Sequence, residues 1–359
     1  MATRSETLAK AAMLRAMFEG QGAVVVEPPI LQPAETLLDL YGEDIRARAY
    51  VTSDALRGEQ MLRPDYTVPV VQMHMAHGAD PARYTYAGEV FRRQEHDPAR
   101  ANEFIQVGYE VFDRTDPAAA DAEVFALIAE ALSGLPVKPV TGDIGILMAA
   151  VHGLATTQRR KDALMRHIWR PRRFRSLLER FAGKTPVPAG RAALLAGENQ
   201  SDAPMIGLRS TQEIEARIEA LREDAKTPAL SGEEVALIAA LLDVREVMPH
   251  ALSRLRDIAV DLPVIAGAVD LVAARADALA VRGIDTDVLA FEGSFGRSSM
   301  EYYDGFVFGF RADLRPELPA VASGGRYDAL TKRLGQGDEI PAVGGVMRPG
   351  LMLELEATQ

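Results

Sequence analysis

The stretch FRRQEHDPARANEFIQVGYEVF, residues 91–112, decides the fold that this sequence predicts. Residues 103–112 and the preceding run 84–92 are rich in β-branched and aromatic side chains, which favour strands. A charged loop, RQEHDPARAN, lies between them. The pattern therefore predicts two strands that are joined by this loop.

Working outward toward the N-terminus, Thr3 with Glu6 three residues later has the spacing of a capping box and predicts a helix. We expect that helix to end at Gly20 in the left-handed conformation, which glycine adopts most easily. Two prolines in the following strand-like run AVVVEPPIL confine it to the edge of a sheet. Further along, the sequence predicts a hairpin from 49–54 and 61–63 and helices over 69–77 and 117–133.

The character of the chain changes between residues 147 and 283, where Ala, Leu, Arg and Glu dominate and strand-like runs nearly vanish. Strands return with TDVLAFEG, GFVFGFRAD and PAVASGG, and a final helix is expected near Ala329. The two sheet-rich parts must share one sheet to bury their apolar faces. We therefore predict an α+β fold in three segments: a first sheet-rich part (1–146), a mainly helical insertion (147–283) and a second sheet-rich part (284–359).

The composition excludes several classes of protein. The 359 residues are 48% hydrophobic and 25% charged, which excludes a disordered chain, and they include no cysteine. Disulfides, thiolate zinc sites, iron–sulfur clusters and cysteine nucleophiles are therefore excluded. The sequence has no P-loop, no G-x-G-x-x-G turn and no apolar run that could span a membrane, and its N-terminus has no apolar signal core. We expect a cytoplasmic protein without metal or cofactor.

One segment departs from the acidic character of the chain. The net charge is −11, but residues 159–180 carry +7, so the remainder carries −18. The segment is either a docking patch for an acidic partner or RNA, or a solvated helix face. The acidic balance argues against a protein that lives on nucleic acid.

Three stretches together carry a resemblance: LRPDYTVPVV (62–71), the stretch 91–112, and SGGRYDALTKRLG followed by PAVGGV (323–346). In this order they resemble the catalytic domain of class II aminoacyl-tRNA synthetases, specifically the histidyl branch. EPPIL is similar to the first, dimer-forming motif, and EYYDGFVF (301–308) to the histidine-specific segment. The resemblance covers about 1–145 and 284–352 and implies an antiparallel sheet flanked by helices.

The resemblance also implies a pocket for a histidine-like ligand. A free amino acid needs a carboxylate for its ammonium group and a guanidinium for its carboxylate, and an imidazole needs polar partners. The positions that match the family's contacts are Asp65, Thr67, Arg92, Gln106, Glu110, Tyr302 and Tyr303. Arg92 would hold the ligand carboxylate, and the two tyrosines would border the side-chain pocket. The alternative is that these are ordinary buried polar residues of strands.

Departures from the family pattern argue against adenylation, because preorganised cations must meet the charge that builds up on phosphorus. The synthetases have two further arginines, and the matching positions here are Ser298 and Leu351. Gln94 replaces a carboxylate of the second motif. Arg297 and Arg348 lie near the altered positions and leave residual nucleotide binding open.

The last match to the synthetases ends seven residues before Gln359, so we expect no counterpart of the anticodon-binding domain that follows the third motif in that family. The resemblance therefore implies a non-catalytic paralogue, the regulatory subunit of ATP phosphoribosyltransferase in histidine biosynthesis. Such a subunit would activate the short-form catalytic subunit, mediate histidine feedback, and form a dimer within a hetero-octamer. Histidine would bind either the synthetase-like pocket or the subunit interface. The alternatives are a truncated amino-acid-adenylating enzyme and an RNA-binding module that uses the basic segment.

Overall fold

Two sheets organise the computed structural model, which describes residues 2–41, 48–93, 100–198, 206–297 and 302–358. Within these ranges, nine strands form the main sheet and three form a small one. The strands are β1 (Val24–Val25), β2 (Leu31–Pro33), β3 (Val51–Asp54), β4 (Gly58–Leu62), β5 (Ala82–Phe91), β6 (Glu103–Phe112), β7 (Val137–Asp143), β8 (Arg245–Val247), β9 (Ala290–Glu292), β10 (Phe306–Ala312), β11 (Ala322–Arg326) and β12 (Ala342–Met347).

The main sheet has the order β1-β5-β6-β12-β11-β10-β7-β9-β8, and the small sheet has the order β2-β4-β3. Neighbouring strands run antiparallel except for two parallel pairs, β1 with β5 and β7 with β9. The hairpin of β5 and β6 pairs Gly88 with Gln106 and Tyr84 with Glu110. Strands from before and after the helical segment therefore meet at β6 and β12, as the sequence predicted for a shared sheet.

Helices cover the sheet and form most of the segment between β7 and β9. They are α1 (Arg4–Gly20), α2 (Ala34–Tyr41), α3 (Thr67–His77), α4 (Pro117–Ala131), α5 (Ile144–Gly153), α6 (Gln158–Arg166), α7 (Pro171–Phe181), α8 (Ala189–Ala196), α9 (Thr211–Lys226), α10 (Gly232–Leu242), α11 (Met248–Asp261), α12 (Ala266–Val281), α13 (Asp328–Leu334) and α14 (Pro349–Glu356). In the described ranges, none of these helices is long and apolar enough to cross a membrane.

Helix α1 shows how local sequence sets the boundary of an element. Thr3 caps its N-terminus, and Glu6 bonds back to the Thr3 backbone, which completes the predicted capping box. The helix ends at Gly20, as expected, and Gln21 and Gly22 form the turn that follows it. The expected conformation is wrong, because the left-handed residue is Gly22, with φ of 86°, and not Gly20.

The end of the chain also differs from the prediction. The helix expected near Ala329 exists as α13, but it is not the last element. Strand β12 and helix α14 follow it. The glycine-rich PAVGGV stretch forms β12 because glycines let it lie close to the side chains of β6.

The helical segment is tied to the sheet by a buried ionic network. Asp121 of α4 accepts hydrogen bonds from Arg275 of α12 at 2.7 Å and from Arg326 of β11 at 2.7 Å. Arg275 also donates to Asp143 at the end of β7, at 2.9 Å. Removing one partner would leave a buried charge uncompensated, which costs about 3–5 kcal/mol. The three parts of the chain therefore share one interior, and the division at 146 and 283 stays a prediction.

Candidate ligand pocket

A small cavity lies between β6, β11 and β12 and the chain segments that precede α3 and β10. We call it the central pocket, and its volume is about 30 Å³. Six of the seven residues predicted for the site line it; the seventh, Glu110, lies beneath it. The lining residues are Asp65, Thr67, Arg92, Gln106, Tyr302, Tyr303, Ser323, Gly344, Gly345, Val346 and Arg348.

The turn before α3 carries two of these residues and is held by Arg63. The Arg63 side chain is buried and donates from Nε to the backbone oxygen of Glu89 at 2.9 Å. Its guanidinium also stacks on the Tyr66 ring, 3.9 Å from the ring centre. Because Arg63 and Tyr66 are anchored in this way, the residues between and after them, Asp65 and Thr67, are held in position to line the pocket.

Glu110 is fully buried on β6 and accepts three hydrogen bonds from hydroxyl groups. Its Oε1 accepts from Thr67 at 3.0 Å and from Tyr86 at 2.8 Å. Its Oε2 accepts from Tyr327 at 2.5 Å. The three donors come from α3, β5 and the residue after β11, so Glu110 positions one wall of the pocket.

Burial dominates the electrostatics of Glu110. The pKa of this carboxyl is raised to about 7, because burial and, to a smaller extent, the charge of Asp65 raise it more than the three hydroxyl donors lower it. The same burial and the Glu110 carboxylate raise the pKa values of Tyr86 and Tyr327 well above the ordinary value. The tyrosines therefore stay protonated and act as donors.

Gly344 of β12 makes the close approach of Glu110 possible. A Cβ atom at this position would lie 1.5 Å from Oε2 of Glu110, so the carboxylate would have to move away from the three hydroxyl groups that hold it. Gly344 pairs directly with Glu110 across the two strands. The glycines of the PAVGGV stretch are therefore required by packing at the pocket floor.

Asp65 and the two predicted tyrosines form the opposite wall. The hydroxyl of Tyr302 donates to Oδ2 of Asp65 at 3.4 Å. The rings of Tyr302 and Tyr303 meet edge to face, with 4.9 Å between their centres. Burial raises the pKa of Tyr303, so this hydroxyl is also neutral. The sequence predicted all three residues, and the structure brings them together.

Gln106 differs from the other polar residues of the pocket. It is fully buried, yet in the described part of the chain neither its Oε1 nor its Nε2 has a hydrogen-bond partner. A buried amide without partners costs about 1–3 kcal/mol, so proteins keep one where a ligand or water completes it. Gln106 therefore marks the point at which the pocket is built to receive a polar group.

Two arginines give the pocket a cationic end. Arg92 donates from Nε to the backbone oxygen of Pro64 at 2.6 Å. Arg92 and Arg348 both lie over the Phe104 ring, 5.9 and 5.1 Å from its centre. Burial, together with the charges of Arg92, Arg100 and Arg48, lowers the pKa of Arg348 to about 9. Among the described residues no carboxylate pairs with Arg348, so this end of the pocket suits an anionic group.

The sequence placed both Arg348 and Arg297 near the altered positions, but in the structure the two side chains lie in different places. Arg348 lines the pocket at the start of α14. Arg297 turns away from it: its Nε donates to the backbone oxygen of Ile168 at 2.8 Å, and its guanidinium lies 4.7 Å from the centre of the Phe174 ring. Ser298 and Gln94 lie outside the described residues. Leu351 lies in the first turn of α14.

Sequence reasoning missed the contributions of Ser323, Gly344 and Arg348 to the pocket lining. The glycine pair in PAVGGV was a usable signal, since two glycines inside a strand indicate a close approach by another group. Nothing comparable marked Ser323. Arg348 could be placed only once β12 was known to end beside the pocket.

The size of the cavity limits what this conformation can hold. About 30 Å³ matches the share of liquid volume of one water molecule. A free amino acid is several times larger. In this conformation the cavity is therefore too small for an amino acid, and its lining would have to move apart to admit one.

The histidines do not assemble a metal site among the residues that the structure describes. His74 is buried in α3, stacks on Phe112 at 3.9 Å between ring centres, and contacts the Tyr84 hydroxyl at 3.1 Å from Nδ1. Burial lowers its pKa, so the ring is neutral near pH 7. His74 is a packing residue of the core.

The sheet, its flanking helices and the pocket on β6 define a catalytic-type domain of the histidyl-tRNA synthetase class. The family model described as histidyl-tRNA synthetase matches residues 2–349. ATP phosphoribosyltransferase regulatory subunits of Brucella anthropi and Brucella ovis are 31% and 32% identical over 354 and 353 residues, covering 92% of this chain and 93% of each relative. The chain therefore belongs to the family of ATP phosphoribosyltransferase regulatory subunits, and the predicted resemblance is confirmed.

Solved structures confirm the predicted fold. A protein from Bacillus halodurans, described as an ATP phosphoribosyltransferase regulatory subunit/histidyl-tRNA synthetase, superposes with a TM-score of 0.67 at 22% identity, covering 98% of this chain and 79% of that chain. A histidine–tRNA ligase subunit from Alicyclobacillus acidocaldarius gives a TM-score of 0.62 at 23% identity, covering 99% of this chain and 94% of that chain.

Proposed function

We propose that this chain is a non-catalytic subunit that activates a short-form ATP phosphoribosyltransferase and makes it sensitive to histidine. The observation that carries the proposal is the match to regulatory subunits along 92% of the chain. The activity itself belongs to the partner, which transfers phosphoribosyl to ATP. The cytoplasmic location expected from the sequence is part of the same proposal.

The absence of two arginines from the sequence pattern supports a non-catalytic role. The positions that would carry them are Ser298 and Leu351, and neither side chain carries the positive charge that the arginines would supply. Loss of one such donor typically costs about 3–4 kcal/mol in the transition state. A pocket of this kind can still bind an amino acid, because binding needs only the carboxylate, amide and arginine groups.

The polarity of the central pocket supports histidine as its ligand. Asp65 and the free Oε1 of Gln106 would accept from the ammonium group. Arg92 and Arg348 would hold the carboxylate at the other end. The imidazole ring would then lie against Tyr302 and Tyr303, where it can stack and hydrogen-bond. Glu110 would act on the ligand through Thr67 and Tyr327, whose hydroxyls it orients.

Feedback follows if histidine binds the two conformations of the pocket with different affinity. Because the cavity must expand to admit histidine, the occupied state differs from the empty one in the tyrosine wall. A ligand shifts an equilibrium only by its differential affinity for two states. Histidine inhibition would therefore arise from an assembly whose active form prefers the closed pocket.

An exposed apolar surface supports the predicted dimer. Val24 and Leu31 are 61% and 49% exposed, and Met73 is 37% exposed. These residues border or adjoin a groove of about 590 Å³ that is formed by β1, β2 and α3 and includes the EPPIL stretch. Apolar residues concentrated at one groove are typical of a contact with another protein, and we assign it to a second copy of this chain. A dimer of this kind would be the unit that enters the hetero-octamer.

The test is phosphoribosyl-ATP formation by a short-form catalytic subunit from the same organism, with and without this chain, over a histidine titration. We expect the chain to raise turnover and to make histidine inhibitory. The Gln106→Leu chain should still activate but should need about 10–100-fold more histidine for the same inhibition. If that variant keeps full histidine sensitivity, histidine acts at another place, such as the subunit interface.

Arg348 favours one second candidate, an amino-acid-adenylating enzyme. With Arg92 it offers two guanidinium groups to an anion, which is an arrangement that also suits a phosphate. This candidate predicts histidine-dependent exchange of pyrophosphate into ATP by the isolated chain. Exchange that is abolished by Arg348→Leu would replace the regulatory proposal.

A further inference from the structure

Five arginines of the neighbouring helices α6 and α7 form a group of exposed cations. Their side chains are exposed, and among the residues that the structure describes none of them forms an ion pair. Helices α6 and α7 pack against each other, so the five lie on neighbouring elements. We call this surface the arginine face, and its members are Arg159, Arg166, Arg172, Arg173 and Arg175.

The other basic residues of this segment have structural partners, which the arginine face lacks. Arg160 is buried and donates to Oδ1 of Asp224 at 2.6 Å and to the backbone oxygen of Pro228 at 2.7 Å. Lys161 donates to the backbone oxygen of His152 at 2.7 Å. The basic residues of segment 159–180 therefore fall into two groups. One group holds the structure together, and the other, the arginine face, points to solvent.

Folding gains nothing from the α7 members of the arginine face, whereas Arg166 lies in the last turn of α6, where a cation is favourable. Arg172 and Arg173 lie in the first turn of α7, where the helix dipole disfavours cations. Arg172 and Arg175 are also three residues apart, a spacing at which like charges repel on a helix. Since both effects oppose folding, the concentration of positive charge is explained by something outside the chain.

We propose that the arginine face is the surface through which this chain docks an acidic face of its partner enzyme. This inference rests on the proposed function, which requires such a partner. Arginine is enriched at protein interfaces because its planar group binds carboxylates in pairs and is weakly hydrated. A protein partner is favoured over RNA, since the remaining −18 of the chain would repel a long polyanion.

The position of the arginine face supports this assignment. The turn between α6 and α7 contacts one of the pocket tyrosines and a residue that precedes them in the chain. Ile168 accepts a hydrogen bond from Arg297, and Trp169 donates one to the backbone oxygen of Tyr303. A partner docked on α6 and α7 would therefore be separated from the pocket wall by one turn of chain. Through that turn, a change in the pocket could reach the partner.

The experiment reverses three charges in the full-length chain and measures its association with the short-form catalytic subunit by calorimetry. Arg172→Glu, Arg173→Glu and Arg175→Glu are combined in one variant. The matched control combines Arg217→Glu, Arg256→Glu and Arg333→Glu, which changes the net charge equally at exposed arginines of α9, α11 and α13. We expect the first variant to bind at least about tenfold more weakly and the control to bind as the wild type does.

Further arms separate the possible failures. Circular dichroism and histidine binding by the isolated variants establish that both are folded, and the wild-type affinity should fall as salt is added. Equal weakening by both variants, or by neither, overturns the docking surface while leaving the regulatory function intact. A wild-type chain that neither binds nor activates the enzyme overturns the proposed function instead. Salt-dependent binding of transfer RNA that is lost only in the first variant assigns the face to RNA and overturns the proposal.

Discussion

The indole nitrogen of Trp169 donates a hydrogen bond to the backbone oxygen of Tyr303, with 3.2 Å between the two atoms. This bond joins the turn between α6 and α7 to a residue that lines the central pocket. The two residues are 134 apart in sequence. Any movement of the tyrosine wall that admits a ligand must therefore change the surroundings of Trp169.

Trp169 is the only tryptophan in the sequence, so its fluorescence reports on this contact alone. Titration of the isolated chain with histidine is expected to give a saturable change in emission, because the half-buried ring touches the wall that moves. Histidinol, which lacks the carboxylate that Arg92 and Arg348 would hold, is the control ligand and should bind more weakly. Calorimetric binding of histidine with constant emission would show that the ligand enters elsewhere.

Gln106→Leu separates ligand binding from folding. Because the buried amide has no partner among the described residues, its replacement by an apolar group of similar size should raise the free energy of unfolding by about 1–2 kcal/mol. Histidine binding should fall by a factor of about 10–100, since the ligand loses its amide contacts. Chemical denaturation and calorimetry measure the two effects, and a stability loss of several kcal/mol would show that Gln106 is already satisfied in the protein.

Glu110 predicts a specific dependence of stability on pH. Its pKa of about 7 in the folded protein lies above the ordinary value of 4.5, so the folded state binds the proton more tightly than the unfolded state. The free energy of unfolding therefore falls as pH rises from about 4.5 to about 7, by about 3 kcal/mol from this group, and is flat above that. In Glu110→Gln that part of the slope should vanish.

Asp304 requires a matched control in this experiment. Burial and the neighbouring Asp328 also raise its pKa to about 7, so it contributes to the same pH range. Asp304→Asn should remove only its own part of the slope, and the double variant should remove both. The measurement is chemical denaturation at closely spaced pH values. If the free energy of unfolding of Glu110→Gln depends on pH as that of the wild type does, the raised pKa of Glu110 is contradicted.

Two glycine substitutions test the close packing at the pocket floor. Gly344→Ala places a Cβ atom 1.5 Å from Oε2 of Glu110 and should lower the free energy of unfolding by at least about 3 kcal/mol. Gly350→Ala is the matched control, since its nearest atom is Cγ2 of Thr7 at 3.9 Å. As a helical position it should gain up to about 1 kcal/mol. Thermal denaturation of both variants is the measurement, and similar losses would contradict the packing argument.

Much of the fold was predictable because its signals are local. The capping box at Thr3 and the hairpin of β5 and β6 follow from residues close together in sequence. The predicted resemblance also identified the pocket, and six of its seven residues line the cavity. The end of α1 at Gly20 was predicted correctly, but the left-handed residue is Gly22, because both glycines suit that conformation and only the path of the following chain selects one.

The hydrogen-bond partners of each polar group in the pocket could not be predicted, because they come from segments that are distant in sequence. Glu110 is held by three hydroxyls and Gln106 by none, although both lie on β6. Arg348 faces the pocket, whereas Arg297 packs on Phe174. These outcomes depend on which side chains from distant segments arrive at the same point.

The sequence by itself determined the order of the motifs, the predicted pocket residues and the excess of positive charge at 159–180, because these are properties of residue types and spacing. The tertiary structure decided which of those charges are neutralised. Arg160 meets Asp224, which lies 64 residues further along the chain, while the arginine face meets no described carboxylate. The physical reason is that pairing and burial depend on distances in space, and only the packed sheet and helices set those distances.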